Sequence, residues 1–196
     1  MLISKLINSG SKILKEGNVQ SHMLDSELIL SNLLNKSREK LLVMTDYRVP
    51  KYVIANFEKL VSRRLKKEPM AYIFQKKEFW SKDFIVDNNT LIPRPETELL
   101  VHKIAKIFKN KKIFLLDVGT GSGCIALSLL SEIKKAYGIG IDISNKAIKI
   151  ARRNAKNFCF QNKLKFYHRS LDNIYGYKFD LIVSNPPYVC KHQIKN

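Results

Sequence analysis

The chain has 196 residues, 45% of them hydrophobic and 27% charged, with a formal net charge of +18. That length suffices for the core of one small and one larger, incomplete domain, and no stretch approaches the roughly 20 apolar residues of a membrane-spanning helix. Cys124, Cys159 and Cys190 are odd in number and lack paired spacing, while His22, His102, His168 and His192 stand apart, so the pattern indicates neither a disulfide framework nor a metal site and predicts a reducing, cytoplasmic setting.

The positive charge is spread along the chain. Residues 1–90 hold 16 Lys or Arg against 10 Asp or Glu, and residues 91–196 hold 19 against 7. The runs at 109–112 and Arg152-Arg153 are expected on helix ends or turns, without interleaved aromatics of the kind that stack bases. A lysine-rich solvated surface therefore accounts for the charge better than a nucleic-acid groove does, although such a surface favours acidic partners.

From the N-terminus, Leu2, Ile3, Leu6 and Ile7, then Leu24, Leu28, Ile29 and Leu33, then Val53, Phe57, Leu60 and Val61 recur at helical spacing. They predict a small helical bundle over residues 1–70, in which Pro50 opens the last long helix and Pro69 marks its end. Lys5 and Lys12 interrupt any signal-peptide core. Aromatic and β-branched residues between Tyr72 and Val86 predict a hairpin within a linker at 71–90, and Pro93-Arg94-Pro95 opens a second domain at 91–196. Glu96 and Glu98 suit the first turn of the helix that follows, where carboxylates favour the dipole.

Residues 113–118 read as a buried parallel strand, Gly119-Thr120-Gly121-Ser122-Gly123 as a tight loop, and Cys124 to about Lys135 as an apolar helix. Glycines let a ligand approach the backbone closely, and the helix start offers free N–H groups. A dinucleotide fingerprint would place glycine where Cys124 stands, which disfavours NAD. A further strand at 136–141 ends in Asp142, placed to accept from ribose hydroxyls or to cap the helix beginning near Asn145.

A last apolar run at 179–184 leads into Asn185-Pro186-Pro187-Tyr188, which suits methyl transfer to a planar nitrogen. An amide or exocyclic amine shares its lone pair with a π-system and is a poor nucleophile. Acceptors at the Asn185 side chain and the Pro186 carbonyl, each holding one N–H, aim the lone pair at a methyl donor without a charged base. Consecutive prolines stiffen the loop, and Tyr188 can lie face-on against the planar group.

This order of strand, glycine loop, acidic strand end and Asn-Pro-Pro-Tyr loop is that of an α/β class I S-adenosylmethionine-dependent methyltransferase, Rossmann-like, with a small all-α domain ahead of it. The chain resembles the peptide chain release factor N(5)-glutamine methyltransferases in particular. The resemblance rests on Leu91-Ile92-Pro93-Arg94-Pro95-Glu96-Thr97-Glu98, on Glu68-Pro69-Met70-Ala71-Tyr72-Ile73 with Glu78-Phe79-Trp80, and on Asp25-Ser26-Glu27-Leu28-Ile29-Leu30 with Ser37-Arg38. It implies methylation of the glutamine in the Gly-Gly-Gln motif of class I release factors. It also implies S-adenosyl-L-methionine binding by Gly119, Thr120, Gly121, Ser122, Gly123, Asp142 and Asn185, and amide binding by Asn185, Pro186, Pro187 and Tyr188. Asn185, Pro186 and Tyr188 would be the catalytic residues, with no metal.

Gln75 departs from the family's usual glycine, and residues 167–172 match the adenine-contacting segment poorly, leaving Asp172 either an acidic ligand or a helix cap. Only eight residues follow Tyr188, where the family continues with three more strands. The expectation is an incomplete sheet with an exposed apolar edge, in a fragment or a truncated product. An N(6)-adenine nucleic-acid methyltransferase and a non-catalytic remnant are the rival readings.

Overall fold

The computed structural model describes residues 1–44 and 46–186, which puts Pro187, Tyr188, Cys190 and His192 outside the described residues. The chain divides into two compact units, Met1–Phe74 and Gln75–Asn196.

The first unit is helical: α1 (Ile3–Glu16), α2 (His22–Leu34), α3 (Arg38–Val43), α4 (Lys51–Leu65) and the single turn α5 (Met70–Ile73). Leu6, Leu14, Ile29, Leu30, Leu41 and Phe57, each at most 2% exposed, form the centre of its core. Pro50 stands at the N-cap of α4, where its missing N–H costs nothing. Pro69 does not mark the end of α4, which stops at Leu65. It takes the N-cap of α5 instead, its fixed φ suiting a helix start.

The acidic motif of α2 stitches the bundle from inside. Asp25, 4% exposed, accepts from Arg64 Nε at 2.7 Å and from Ser21 Oγ at 2.7 Å. Ser26 Oγ donates to the carbonyl of Ile7 at 2.7 Å, and Glu27 pairs with Arg38 at the start of α3. Gly10 lets α1 approach this layer: a Cβ there would stand 2.5 Å from the Phe57 ring and 2.8 Å from Ser26 Oγ.

The second unit begins with an antiparallel hairpin, β1 (Lys76–Phe79) and β2 (Lys82–Ile85). Its turn residues, Trp80 and Ser81, have φ of 53° and 52°, the left-handed pair that tightens a two-residue hairpin but strains residues bearing a Cβ. Glu98 offsets that strain by accepting from Trp80 N at 2.8 Å, and Glu132 accepts from Trp80 Nε1 at 2.8 Å. Glu98 lies in the first turn of α6 (Thr97–Phe108), with Glu96 at its N-cap.

A parallel sheet follows in the order β5-β4-β3-β6, built from β3 (Phe114–Val118), β4 (Tyr137–Asp142), β5 (Leu164–His168) and β6 (Leu181–Ser184). Between them run α7 (Cys124–Glu132) and α8 (Asn145–Asn157). Side-chain alternation sends Leu115 into the core that α6, α7, α8 and the hairpin build with Phe166 and Val183. Leu116, Ile139 and Ile141 lie on the opposite face, beside Phe114, Val118, Ile174 and Phe179. Helix α7 stops three residues short of Lys135, and Arg152 and Arg153 lie within α8, not at a helix end or turn. There Arg152 Nη2 donates to the carbonyl of Phe166 on edge strand β5 at 2.6 Å. At the other edge of the described sheet, Ile182 of β6 is 61% exposed.

Truncating Asp25 to Ala leaves Arg64 a cation without its partner among packed helices. The expected loss is about 3 kcal/mol of unfolding free energy, read by urea denaturation followed by far-ultraviolet circular dichroism, and Asp25→Asn should lose less.

Candidate functional site

The carboxyl ends of β3, β4 and β6 open onto a cleft of about 350 Å³, within the range of small-molecule sites. Its floor is the loop from Val118 to Gly123, which reverses the chain between β3 and α7. Gly119, Gly121 and Gly123 have φ of +67°, +55° and +81°, a sequence of left-handed steps that side chains would oppose. A Cβ on Gly119 would meet nothing within 4 Å, so this backbone is bare toward the cleft, whereas one on Gly123 would press on Leu127 and Phe166 at 3.1 and 3.2 Å. Gly123 thus serves helix–strand packing, and Gly119 and Gly121 line the cleft.

The loop is tied from below. Thr120 N donates to the Ile141 carbonyl at 2.9 Å, and Thr120 Oγ1 donates to Asp117 Oδ2 at 2.7 Å. Asn154 of α8, fully buried, donates to the Ser122 carbonyl at 2.9 Å and to the Ile85 carbonyl at 3.0 Å, and accepts from Ile85 N at 2.8 Å. One amide therefore holds both the hairpin and the glycine loop. Asn154 occupies the apolar face of α8 with Ala147, Ile148, Ala151 and Ala155, and a lone polar residue at an apolar helical position was the signal in the sequence that could have marked it.

Asp142 ends β4 at the side of the cleft. Its Oδ2 accepts from Gly121 N at 3.0 Å and its Oδ1 from Ser144 N at 2.8 Å, so both oxygens are fixed while each keeps a further lone pair. The cap of α8 is Ser144, whose hydroxyl accepts from Ala147 N, and the capping role open to Asp142 is taken by its neighbour. Ile143, 80% exposed, follows it along the rim, and Arg169, Ser170 and Leu171 come beside them after the end of β5, with Arg169 N donating to the Asp142 carbonyl at 3.1 Å. Asp172 accepts from Ser170 Oγ in a short 3-10 turn (Leu171–Asn173) and is not among the residues bordering the cleft. Asn89, Thr90 and Leu91 close another side, a contribution the sequence reading did not anticipate.

The remaining wall is the end of β6. Ser184 Oγ donates to the Val118 carbonyl at 3.0 Å, and Asn185 and Pro186 border the cleft. Asn185 Nδ2 donates to Thr97 Oγ1, at the first residue of α6, at 3.0 Å. A small slot of about 40 Å³ between the glycine loop and residues 91–94 brings Thr120, Ser122, Thr97 and Asn185 together. Ser122 Oγ, buried there, has no hydrogen-bond partner among the described residues. A bare glycine backbone, an orphaned hydroxyl and a fixed carboxylate together fit a ligand with polar groups at one end and a ribose farther along.

Two ionisable groups beneath the loop are strongly perturbed. Burial pushes Asp117 up to about 6, with the nearby Asp142 charge adding to the rise and hydrogen bonds from Thr120 and the Ala126 N–H opposing it. Burial, then the Asp117 charge, pushes the Cys124 thiol upward as well, so it is a poor nucleophile.

A carboxyl whose pKa rises from 3.8 to about 6 on folding contributes its stability at low pH and loses it as pH rises through about 6. Between pH 5 and 7.5 wild type should lose about 1–2 kcal/mol relative to Asp117→Asn, whatever the constant offset between them; urea titrations at several pH values measure it. Asn154→Leu orphans two backbone carbonyls and one N–H, and should cost about 2–4 kcal/mol in the same assay.

Two family matches account for most of the chain. Residues 5–74 match the PrmC N-terminal domain, and residues 95–196 match the methyltransferase small domain. The release factor glutamine methyltransferase of Buchnera aphidicola subsp. Acyrthosiphon pisum is 40% identical over 183 residues, covering 93% of this chain and 66% of that one. The Haemophilus influenzae release factor glutamine methyltransferase is 40% identical over 190 residues, covering 89% and 64%. A bifunctional methyltransferase of Rickettsia felis is 37% identical over 216 residues, covering 95% of this chain and 41% of its own length. The chain thus spans about two-fifths to two-thirds of these relatives. With a PrmC N-terminal domain ahead of a glycine-loop cleft, the chain belongs to the methyltransferase small domain family.

Proposed function

We propose that this protein transfers a methyl group from S-adenosyl-L-methionine to the side-chain amide nitrogen of the Gly-Gly-Gln glutamine in class I release factors. The observation that carries the reading is the place of Asn185: at the end of β6, beside the glycine loop and on the same cleft as Asp142. Relatives named release factor glutamine methyltransferase support the substrate, and a cytoplasmic setting follows from that partner.

In this reading Gly119 and Gly121 give the methionine end of the donor close access to backbone, Ser122 and Thr120 lie alongside in the slot, and Asp142 accepts from the ribose. When bound, the donor supplies a methyl group on a positively charged sulfur. Asn185 Oδ1 and the Pro186 carbonyl accept the two amide N–H groups of the substrate, which turns the nitrogen lone pair toward that methyl. A nitrogen–carbon bond forms as the carbon–sulfur bond breaks, sulfur keeps the bonding pair and becomes neutral, and the surplus N–H proton leaves toward an acceptor or water. The rest of the amide-binding role is assigned to Pro187 and Tyr188 by the resemblance to the family, outside the described residues.

Incubation with a purified class I release factor and methyl-labelled S-adenosylmethionine tests this. Label should enter the Gly-Gly-Gln glutamine, and Asn185→Ala should lower kcat by about 10²–10³, the scale for removing one oriented hydrogen-bonding group at a reacting centre. Label in adenine of DNA or RNA, with none in the release factor, would replace the reading by nucleic-acid methylation. Asp142→Asn should weaken S-adenosylmethionine binding about tenfold by calorimetry, the size of about one hydrogen bond to a charged group.

A further inference from the structure

An asparagine amide has an acceptor end and a donor end of nearly the same shape, and only the acceptor end can hold a substrate N–H. Rotation by half a turn about the last side-chain bond would present Nδ2 to the substrate instead, setting N–H against N–H. A neighbouring acceptor that engages the nitrogen stabilises the productive arrangement. In this structure Asn185 Nδ2 is held by Thr97 Oγ1 at 3.0 Å, while Oδ1 makes no hydrogen bond among the described residues.

Thr97 is suited to that role by its own surroundings. It is only 9% exposed and opens α6, whose N-cap, Glu96, makes no side-chain cap bond. The next backbone N–H groups of the helix, of Glu98 and Leu99, are already satisfied by the carbonyls of Pro95 and Glu96 at 2.9 and 3.2 Å, so the Thr97 hydroxyl is not drawn into capping its own helix. The helix start is braced in turn, since Glu98 one residue on accepts from the backbone of Trp80 at the hairpin tip. A threonine on a helix has only two common χ1 choices, and burial with the bond to Asn185 favours the one seen here.

We propose that Thr97 is a positioning residue for the transfer: its hydroxyl oxygen accepts from Asn185 Nδ2 and so holds the amide by its nitrogen end, leaving the oxygen end for the substrate nitrogen. This rests on the methyl-transfer reading and assigns a role within it to the Pro-Arg-Pro-Glu-Thr-Glu segment. Thr97 acts through Asn185 and touches neither methyl nor nucleophile.

Thr97→Val keeps the shape and removes the acceptor, and Thr97→Ser keeps the acceptor and removes a methyl. With release factor as substrate, Thr97→Val should lower kcat about 10- to 100-fold, with S-adenosylmethionine affinity and melting temperature close to wild type. Thr97→Ser should restore kcat to within about threefold. In an Asn185→Ala background the Thr97→Val change should add nothing, because the amide it orients is gone. A structural role alone predicts instead that Val and Ser variants lose melting temperature and donor affinity along with activity, and that result would overturn the proposal.

An independent arm needs no substrate. The side-chain NH₂ pair of Asn185 in ¹⁵N-labelled protein, assigned by its loss in Asn185→Ala, should shift in Thr97→Val and hold its place in Thr97→Ser. An unmoved pair in Thr97→Val refutes the positioning role. If wild type methylates no glutamine while the pair shifts as expected, the release-factor reading fails and the orienting bond stands.

Discussion

Everything at the carboxyl end of the sheet rests on the buried amide of Asn154. Its oxygen holds the N–H of Ile85, and its nitrogen holds the carbonyls of Ile85 and Ser122. Three of its hydrogen-bonding positions are thus filled by backbone from two separate segments, in a place with no exposure to water. Inside such a low-dielectric setting each bond is strong and an unmade one is costly, so the hairpin and the glycine loop keep their positions together. The hairpin in turn meets α6 through Trp80 and Glu98, and α6 begins at the residue that holds Asn185. The floor of the cleft and the wall that ends in Asn185 are therefore parts of one hydrogen-bonded frame.

Close packing makes room for that frame. On β4, Gly140 lies beneath Phe166, where a Cβ would stand 2.5 Å from the ring and 3.0 Å from Thr120 Oγ1, so any larger residue would push on the loop itself. The electrostatics run opposite to the rest of the surface. In a chain of net charge +18, two carboxylates, Asp117 and Asp142, sit below and beside the glycine loop. In the proposed reading a donor with a positive sulfur and a positive amine would meet these carboxylates on a cleft that Arg169 also borders.

Much of the fold was legible because its signals are local. Buried parallel strands read as unbroken apolar runs, and β3, β4 and β6 fall within the stretches at 113–118, 136–142 and 179–184. Helix ends were less legible. Nothing in the composition of Ile133, Lys134 and Lys135 forbids a helix, but the chain turns back at Ile133 to start β4, and tertiary geometry overrides propensity. Arg152 and Arg153 looked like a turn because two adjacent charges suit solvent; α8 instead presents them on its outer side while Ala151 and Asn154 face inward. In the cleft, Gly119, Gly121, Asp142 and Asn185 could be read from motif and spacing. Thr97, Asn154, Ile143 and Asn89 could not be assigned, since what each does depends on a partner 32 to 88 residues away or on a rim that exists only after folding.

The sequence by itself determined the order of elements, the tight glycine loop and membership of a methyltransferase family. Each of these is a property of neighbouring residues: backbone freedom or apolar period. Only the tertiary structure decided that Thr97 faces Asn185, that Asn154 binds hairpin and loop at once, and that Glu98 accepts from the backbone of a strained turn. Hydrogen-bond partners are chosen by three-dimensional proximity and by the need to satisfy every buried polar group, and neither is written in local sequence.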